Sequence, residues 1–172
     1  MKEVAQAFIA EARSHLLADY LPKIERCLER LSDEQVWWRA GERSNSVGNL
    51  LLHLEGNARQ WIVSGVGGSV DRRERDREFD ERGRLSRERL LSTLRATLEE
   101  AEGVLARLDA SVLLERRRIQ GLDVTVLAAV FHVVEHFSAH TGQIILLTKM
   151  LTDSDLAFYD FSEGLPRPNW SG

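Results

Sequence analysis

One cysteine, three prolines and the lack of any long apolar run set the first limits on this chain of 172 residues. A lone Cys27 excludes an internal disulfide framework, and its place on a hydrophobic stripe makes it a small core residue rather than a reactive thiol. The opening MKEVAQAFIAEARSH has neither the basic start nor the continuous apolar stretch of a secretory signal, so the expectation is a cytoplasmic protein. No segment approaches the roughly 18 to 20 apolar residues of a membrane span, and even LLLHL is cut by His53. Positive charge is short as well: Lys+Arg 23 against Asp+Glu 27 gives a net charge of −4, which excludes the basic field that holds nucleic acid phosphates. Pro166 and Pro168 sit near the C-terminus, leaving Pro22 as the one internal breaker in a chain dominated by Leu, Ala, Glu and Arg. That balance favours helix over sheet.

The apolar positions predict four long helices. Val4, Phe8, Ala12, Leu16, Tyr20, Ile24, Cys27 and Leu31 step by four and three, the spacing of one helical face, with a kink expected near Ala18 to Pro22. The linker SDEQVWWRAGERSN ends in Ser44 and Asn45, which are N-cap types, ahead of a second helix at about 46–64. Its core face holds Val47, Leu50, Leu51, Leu54, Ala58, Trp61 and Ile62. Beside that face runs a file of Ser46, Asn49, His53, Asn57, Gln60 and Ser64, polar yet uncharged. A solvated face is normally charged, so the file suggests a polar cavity or a subunit contact.

The stretch from Asp71 to Arg84 holds six arginines against six acids and reads as a solvated, partly helical loop; arginines lining a site mouth are the alternative. Ser86 caps a third helix through Leu90, Leu94, Leu98, Ala101, Leu105 and Leu108. A connector with a short extended or hairpin segment around Gly121 follows. The fourth helix starts at Asp123 or Thr125, ends near Leu151 and has a core face of Val126, Val130, Val133, Phe137, Ile144 and Leu147. In the tail, Phe158, Tyr159, Phe161 and Trp170 are expected to pack across the bundle or a partner subunit. The predicted fold is all-α: a four-helix bundle, antiparallel or partly crossed, forming one domain over 1–172 with a core of 1–151 and an irregular tail of 152–172.

Three of the five histidines recur every fourth residue in FHVVEHFSAHTGQ: His132, His136 and His140. Neighbours at this spacing share a helix face and can grip one metal ion. Zn–N bonds are only about 2.0 to 2.1 Å long while eight residues climb about 12 Å, so His132 and His140 cannot share an ion. The helical wheel favours His136 with His140, which border the core stripe more closely than His132 does. His53, from the second helix, completes three nitrogen donors, and three protein ligands with an open position suit a catalytic rather than a structural site. The pattern is not HExxH, because phenylalanine stands where a general-base glutamate would, and neither Glu135 nor Glu55 lies on a suitable face. Gln143 and Asn57 are placed to support the site, and His132 is a supporting donor or an alternate ligand. A thiolate at the open position would need no strong base, which favours thiol transfer over hydrolysis.

On these residues, His53 in LLHLEGN with His136 and His140 in HFSAHTGQI, the chain resembles the DinB/YfiT-like superfamily over about residues 1–151. The resemblance implies a four-helix bundle, a homodimer, and one divalent metal ion per chain, zinc or nickel, held by those three histidines. It also implies a small-molecule substrate and either a thiol S-transferase using a low-molecular-weight thiol or a hydrolase. The alternative is a non-catalytic dimeric or stress-associated bundle whose histidines are structural or lie at an interface.

Overall fold

The computed structural model describes residues 2–170; residues 1, 171 and 172, which fall inside the expected domain limits, lie outside that description. The first long helix comes in three pieces: α1 (Lys2–Ser14), a π-helical turn (His15–Tyr20) and α2 (Leu21–Arg30). Pro22 has no N–H to give to the carbonyl of Ala18, and the winding widens just ahead of it, where the Leu21 N–H bonds Leu16 O five residues back. The expected kink is thus a change of winding. One extra residue in a turn also shifts the helical wheel by one position. The buried stripe runs through Ile9 and Ala12 before the turn, Leu16 within it and Ile24, Cys27 and Leu28 after it, while Val4, expected on that face, is exposed.

The linker contains a short helix the apolar pattern did not predict, α3 (Asp33–Val36), held by a reciprocal cap between Ser32 and Gln35. The cap of the second long helix is Ser46 rather than Ser44 or Asn45, again with a reciprocal partner, Asn49. That helix is α4 (Val47–Ala58), continued by a π-helical stretch (Arg59–Val66). Then come α5 (Arg75–Asp80), α6 (Arg87–Ala106) capped by Ser86 as expected, and a 3-10 turn (Ala110–Leu114). The expected hairpin is β1 (Arg116–Ile119) with β2 (Leu122–Thr125). It turns at Gln120 and Gly121, whose φ of 52° and 80° suit the left-handed pair of a two-residue hairpin turn. Thr125 caps α7 (Val126–Thr152).

Side-chain pairs fix the helix directions. Arg13 Nε bonds Glu102 at 2.9 Å and Arg95 bonds Glu25 at 2.6 Å, so the first and third long helices are antiparallel. Asn57 meets His132 while His53 packs on His136 and His140, so the second and fourth are antiparallel too. Glu55 accepts from Thr97 and Arg59 reaches on to Glu100, so the second and third run the same way. The first also packs on the fourth, chiefly through α2 and α7. The result is the expected all-α bundle with long connections and partly crossed order. Its second and third helices are parallel neighbours.

A helix of this length climbs about 30 Å, and the chain between Val66 and Arg87 must travel back along it. That crossover descends α4 in register: Asp71 bonds Gln60, the carbonyl of Glu78 takes a bond from Asn49, and Leu85 O accepts from the Trp37 indole at 2.8 Å. Most of the polar file on the second helix is therefore covered by the chain's own crossover rather than by a partner subunit, while Asn57 and His53 meet the histidines of α7. The segment 71–84, expected to be solvated, buries Glu78 and the side chain of Arg73.

The tail is more ordered than expected, with β3 (Tyr159–Asp160) paired antiparallel to β4 (Arg167–Pro168). Arg26 bonds the carbonyls of Ala157 and Asn169, and the Trp170 indole donates at 2.8 Å to Ala18 O, the carbonyl that Pro22 cannot serve. The tail thus docks on this chain's first helix. No helix among the described residues is long and apolar enough to cross a membrane.

The core lies where all four helices meet, and Phe137 is its largest fully buried side chain at 0 % exposure, whereas Leu114 is 75 % exposed. Phe137→Ala is expected to cost about 3 to 5 kcal/mol, and Leu114→Ala to stay within about 0.5 kcal/mol. Urea unfolding of both variants checks this; equal losses would contradict the placement.

Candidate metal centre

Helix α4 carries His53 on the edge that faces α7, and α7 answers with His136 and His140 one turn apart. The ring of His53 lies 4.7 Å from that of His136 and 5.2 Å from that of His140, and the latter two lie 4.4 Å apart. One nitrogen from each imidazole falls within 4.8 Å of the others. A tetrahedral ion with bonds of about 2.0 to 2.1 Å sets its nitrogens roughly 3.4 Å apart, within ring-rotation reach of that spacing.

Each ring is turned by its neighbours. His53 Nδ1 lies 2.8 Å from Glu78 Oε2. Arg73 Nη2, a donor, also lies 3.1 Å from Nδ1, but its hydrogen goes to Glu78 Oε2 at 2.9 Å; the carboxylate can only accept, so the shorter contact puts the hydrogen on Nδ1 and leaves Nε2 free. Arg73 holds that carboxylate bidentately, Nε to Oε1 at 2.6 Å and Nη2 to Oε2 at 2.9 Å, and donates to Gln60 Oε1 at 2.9 Å. Burial alone would raise the Glu78 pKa, but its bonds to Arg73 and His53 outweigh that and hold it below the usual carboxylate range. His140 Nδ1 lies 2.8 Å from Gln143 Oε1, an acceptor, which again leaves Nε2 free. His136 Nε2 is buried and finds no hydrogen-bond partner among the described residues.

That unpartnered nitrogen is the test of fit for a metal. A buried acceptor left unmade costs about 1 to 3 kcal/mol, and a cation shared with His53 and His140 would satisfy it. The electrostatics agree, because metal binding needs neutral imidazole. Burial first, then His140 and His53, push His136 down to about 3; burial likewise lowers His140, partly offset by Gln143. The three rings thus fit a divalent cation.

His132 stands one turn beyond, outside this group. Its ring lies 5.3 Å from that of His136 and 4.1 Å from Trp61, and its Nε2 accepts from Asn57 at 3.0 Å. Burial lowers its pKa too. Gln143 and Asn57 therefore each hold an imidazole, but of different residues: Gln143 orients His140, and Asn57 orients His132. The other carboxylates considered in the sequence are elsewhere. Glu55 pairs with Arg59 and Thr97, and Glu135 is exposed. Cys27 is fully buried, with burial pushing its thiol up to about 11, as suits a core residue.

Glu78, Arg73 and Gln60 were not predicted as site residues. The sequence signal lay in two halves: a polar file without charge on α4, and a charged loop without a partner. Only the parallel placement of the second and third helices brings them together.

A family model described as "Protein of unknown function (DUF1572)" matches residues 3–164. Among solved structures, a conserved protein of Enterococcus faecalis shares 12 % identity at a TM-score of 0.65, over 90 % of this chain and 98 % of that one. A DinB-like protein of Bacillus cereus ATCC 10987 shares 17 % at a TM-score of 0.59, over 79 % and 90 %. No curated protein matches the chain. At these identities the likeness is one of fold, and the fold is the one that the resemblance to the DinB/YfiT-like superfamily implies.

The lowered histidines make metal-free protein acid-sensitive. Their folded pKa values lie below the unfolded value of about 6.5, so the unfolded chain binds more protons, and stability is lost as pH falls below about 6.5, for His136 down towards 3. Glu78, with a depressed folded value, adds a loss below about 4.5. Melting of chelator-treated protein at pH 7.5, 6, 5 and 4 is expected to give a midpoint that drops at each step; a flat midpoint would show that the rings take up protons freely.

Proposed function

The chain belongs to the DUF1572 family, and on that premise we propose that it binds one divalent metal ion per chain, zinc or nickel, through His53, His136 and His140, and acts on a small molecule. The observation that supports this most is the buried, unpartnered Nε2 of His136, flanked by two rings whose free nitrogens are set by Glu78 and Gln143. Three nitrogen donors from two helices leave part of the coordination sphere to a non-protein ligand. An ion there supplies Lewis acidity, which lowers the pKa of a thiol or water at the open position.

The reaction we favour is thiol S-transfer with a low-molecular-weight thiol, with hydrolysis second. Hydrolysis is helped by a base, and the carboxylate nearest the rings, Glu78, is committed to Arg73 and His53. A thiol, already acidic, needs no such help. Gln143 keeps the His140 ring turned, and Asn57 with His132 forms a polar wall beside His136.

We also infer a homodimer. Leu127, Phe131, Leu146 and Met150 are exposed along α7, where Glu135 and Lys149 are the only charged side chains besides histidines, and such apolar surface marks an interface. The metal-binding rings turn instead towards α4. The rival reading, a non-catalytic bundle with interfacial histidines, predicts that dimerisation weakens as the rings protonate near pH 6. We expect sedimentation to give a dimer at pH 7.5 and pH 5.5, with and without chelator; dissociation at the lower pH alone would favour the rival.

Protein purified without a histidine tag is expected to carry about one zinc or nickel ion per chain by elemental analysis. His136→Ala should abolish binding and His132→Ala should spare it. A preparation that is metal-free and refuses both added ions would overturn the proposal.

A further inference from the structure

Glu78 can reach His53 because residue 56 has no side chain. A Cβ at Gly56 would overlap Glu78 Oε1 and come within 2.9 Å of Arg73 Nε. Glycine inside a helix weakens it relative to alanine, so this position calls for a reason, and the notch it opens is filled by a buried ion pair. Such a pair is a poor source of stability against apolar residues of the same volume. Arg73 and Glu78 nevertheless sit here with side chains 5 % and 10 % exposed, against His53 rather than against the core. Gln60 ties Arg73 to α4, and Asp71 takes the Gln60 amide at 2.8 Å.

We propose that Gly56, Glu78 and Arg73 form a holder built for His53, in which Glu78 is a positioning residue for a metal ligand. Glu78 accepts the Nδ1 hydrogen and so turns Nε2 towards His136 and His140. Arg73 keeps the carboxylate fixed and offsets its charge. Gly56 provides the space. The inference rests on the metal reading of the three histidines, but its first consequence, the position of the His53 hydrogen, exists without metal. Carboxylate partners of this kind orient metal-binding imidazoles, and their loss weakens metal affinity about 10- to 100-fold.

The test uses the full chain as wild type, Glu78→Ala and Gly56→Ala. Ring ¹⁵N shifts of metal-free protein read which His53 nitrogen bears hydrogen, and calorimetric titration with zinc and with nickel reads affinity. The expected result is hydrogen fixed on Nδ1 in wild type and a mixture of the two forms in both variants, with Kd weakened about 10- to 100-fold. Gly56→Ala discriminates most sharply, because it keeps every charged group and improves helix propensity, yet displaces Glu78. Wild-type hydrogen on Nε2, or variants that bind as wild type does, would overturn the holder. Should Gly56→Ala not fold, Glu78→Ala decides. Wild type that refuses both ions would overturn the metal reading alone, and the ring shifts would still decide whether Glu78 sets the His53 hydrogen.

Discussion

Two neighbouring helices that run the same way cannot be joined by a tight turn. In this bundle the second and third long helices are such a pair, tied by Glu55 to Thr97 and by Arg59 to Glu100, and the chain must return the length of α4 before α6 can begin. A return path beside a helix needs polar partners for its backbone and side chains, and α4 offers them in its uncharged file. Asn49 serves the carbonyls of Glu78 and Glu81, Ser64 that of Val70, and Gln60 binds Asp71. The site inherits its geometry from this constraint, since the same return path that closes the topology lays Glu78 against His53.

The cluster also solves an electrostatic problem. Four histidine rings, His132 included, lie in a chain of contacts each under 6 Å, and protonating them together would set several positive charges in a half-buried space. Burial and mutual proximity keep His132, His136 and His140 neutral, and neutral imidazole is the form that coordinates. Arg73 adds a positive charge close by, but Glu78 takes it up. The local balance thus admits a cation only where nitrogen lone pairs face it.

Most of the fold could be read from spacing because the four long helices are amphipathic and their caps are ordinary. What could not be read has identifiable physical causes. Val4 reads as core only if four-residue steps keep to one face, but each such step drifts about 40° on a 3.6-residue helix, and by Val4 the file has left the face that Ile9, Ala12 and Leu16 bury. The cap of α4 lies one or two residues beyond the expected Ser44 or Asn45 because Ser44, Asn45 and Ser46 are all good cap types, and only the reciprocal bond from Asn49 selects Ser46. His136 and His140 were legible as a pair because their spacing on one helix is a local property, and His53 stood out as the one strong ligand in the uncharged file of another. Glu78 and Arg73 were not: twelve charged residues in Asp71 to Arg84 are alike in sequence, and the pair that is buried is chosen by the notch at Gly56, a contact between segments some twenty residues apart.

The distribution of unsatisfied groups points to the same place from the side of stability. Among the described residues the buried side-chain atoms without a hydrogen-bond partner are Asn57 Oδ1, Trp61 Nε1, His136 Nε2 and Thr141 Oγ1. Native interiors hold few such atoms, and each asks for an explanation. Three of the four lie together: Asn57 and Trp61 both touch His132, whose ring stacks on His136. A bundle selected only for stability would fill the seam between α4 and α7 with leucine, the residue that α4 and α6 bury at Leu51, Leu54, Leu94 and Leu98. The chain instead gathers three of these atoms beside the converging imidazoles, and a cation held there would give the His136 nitrogen the partner it needs.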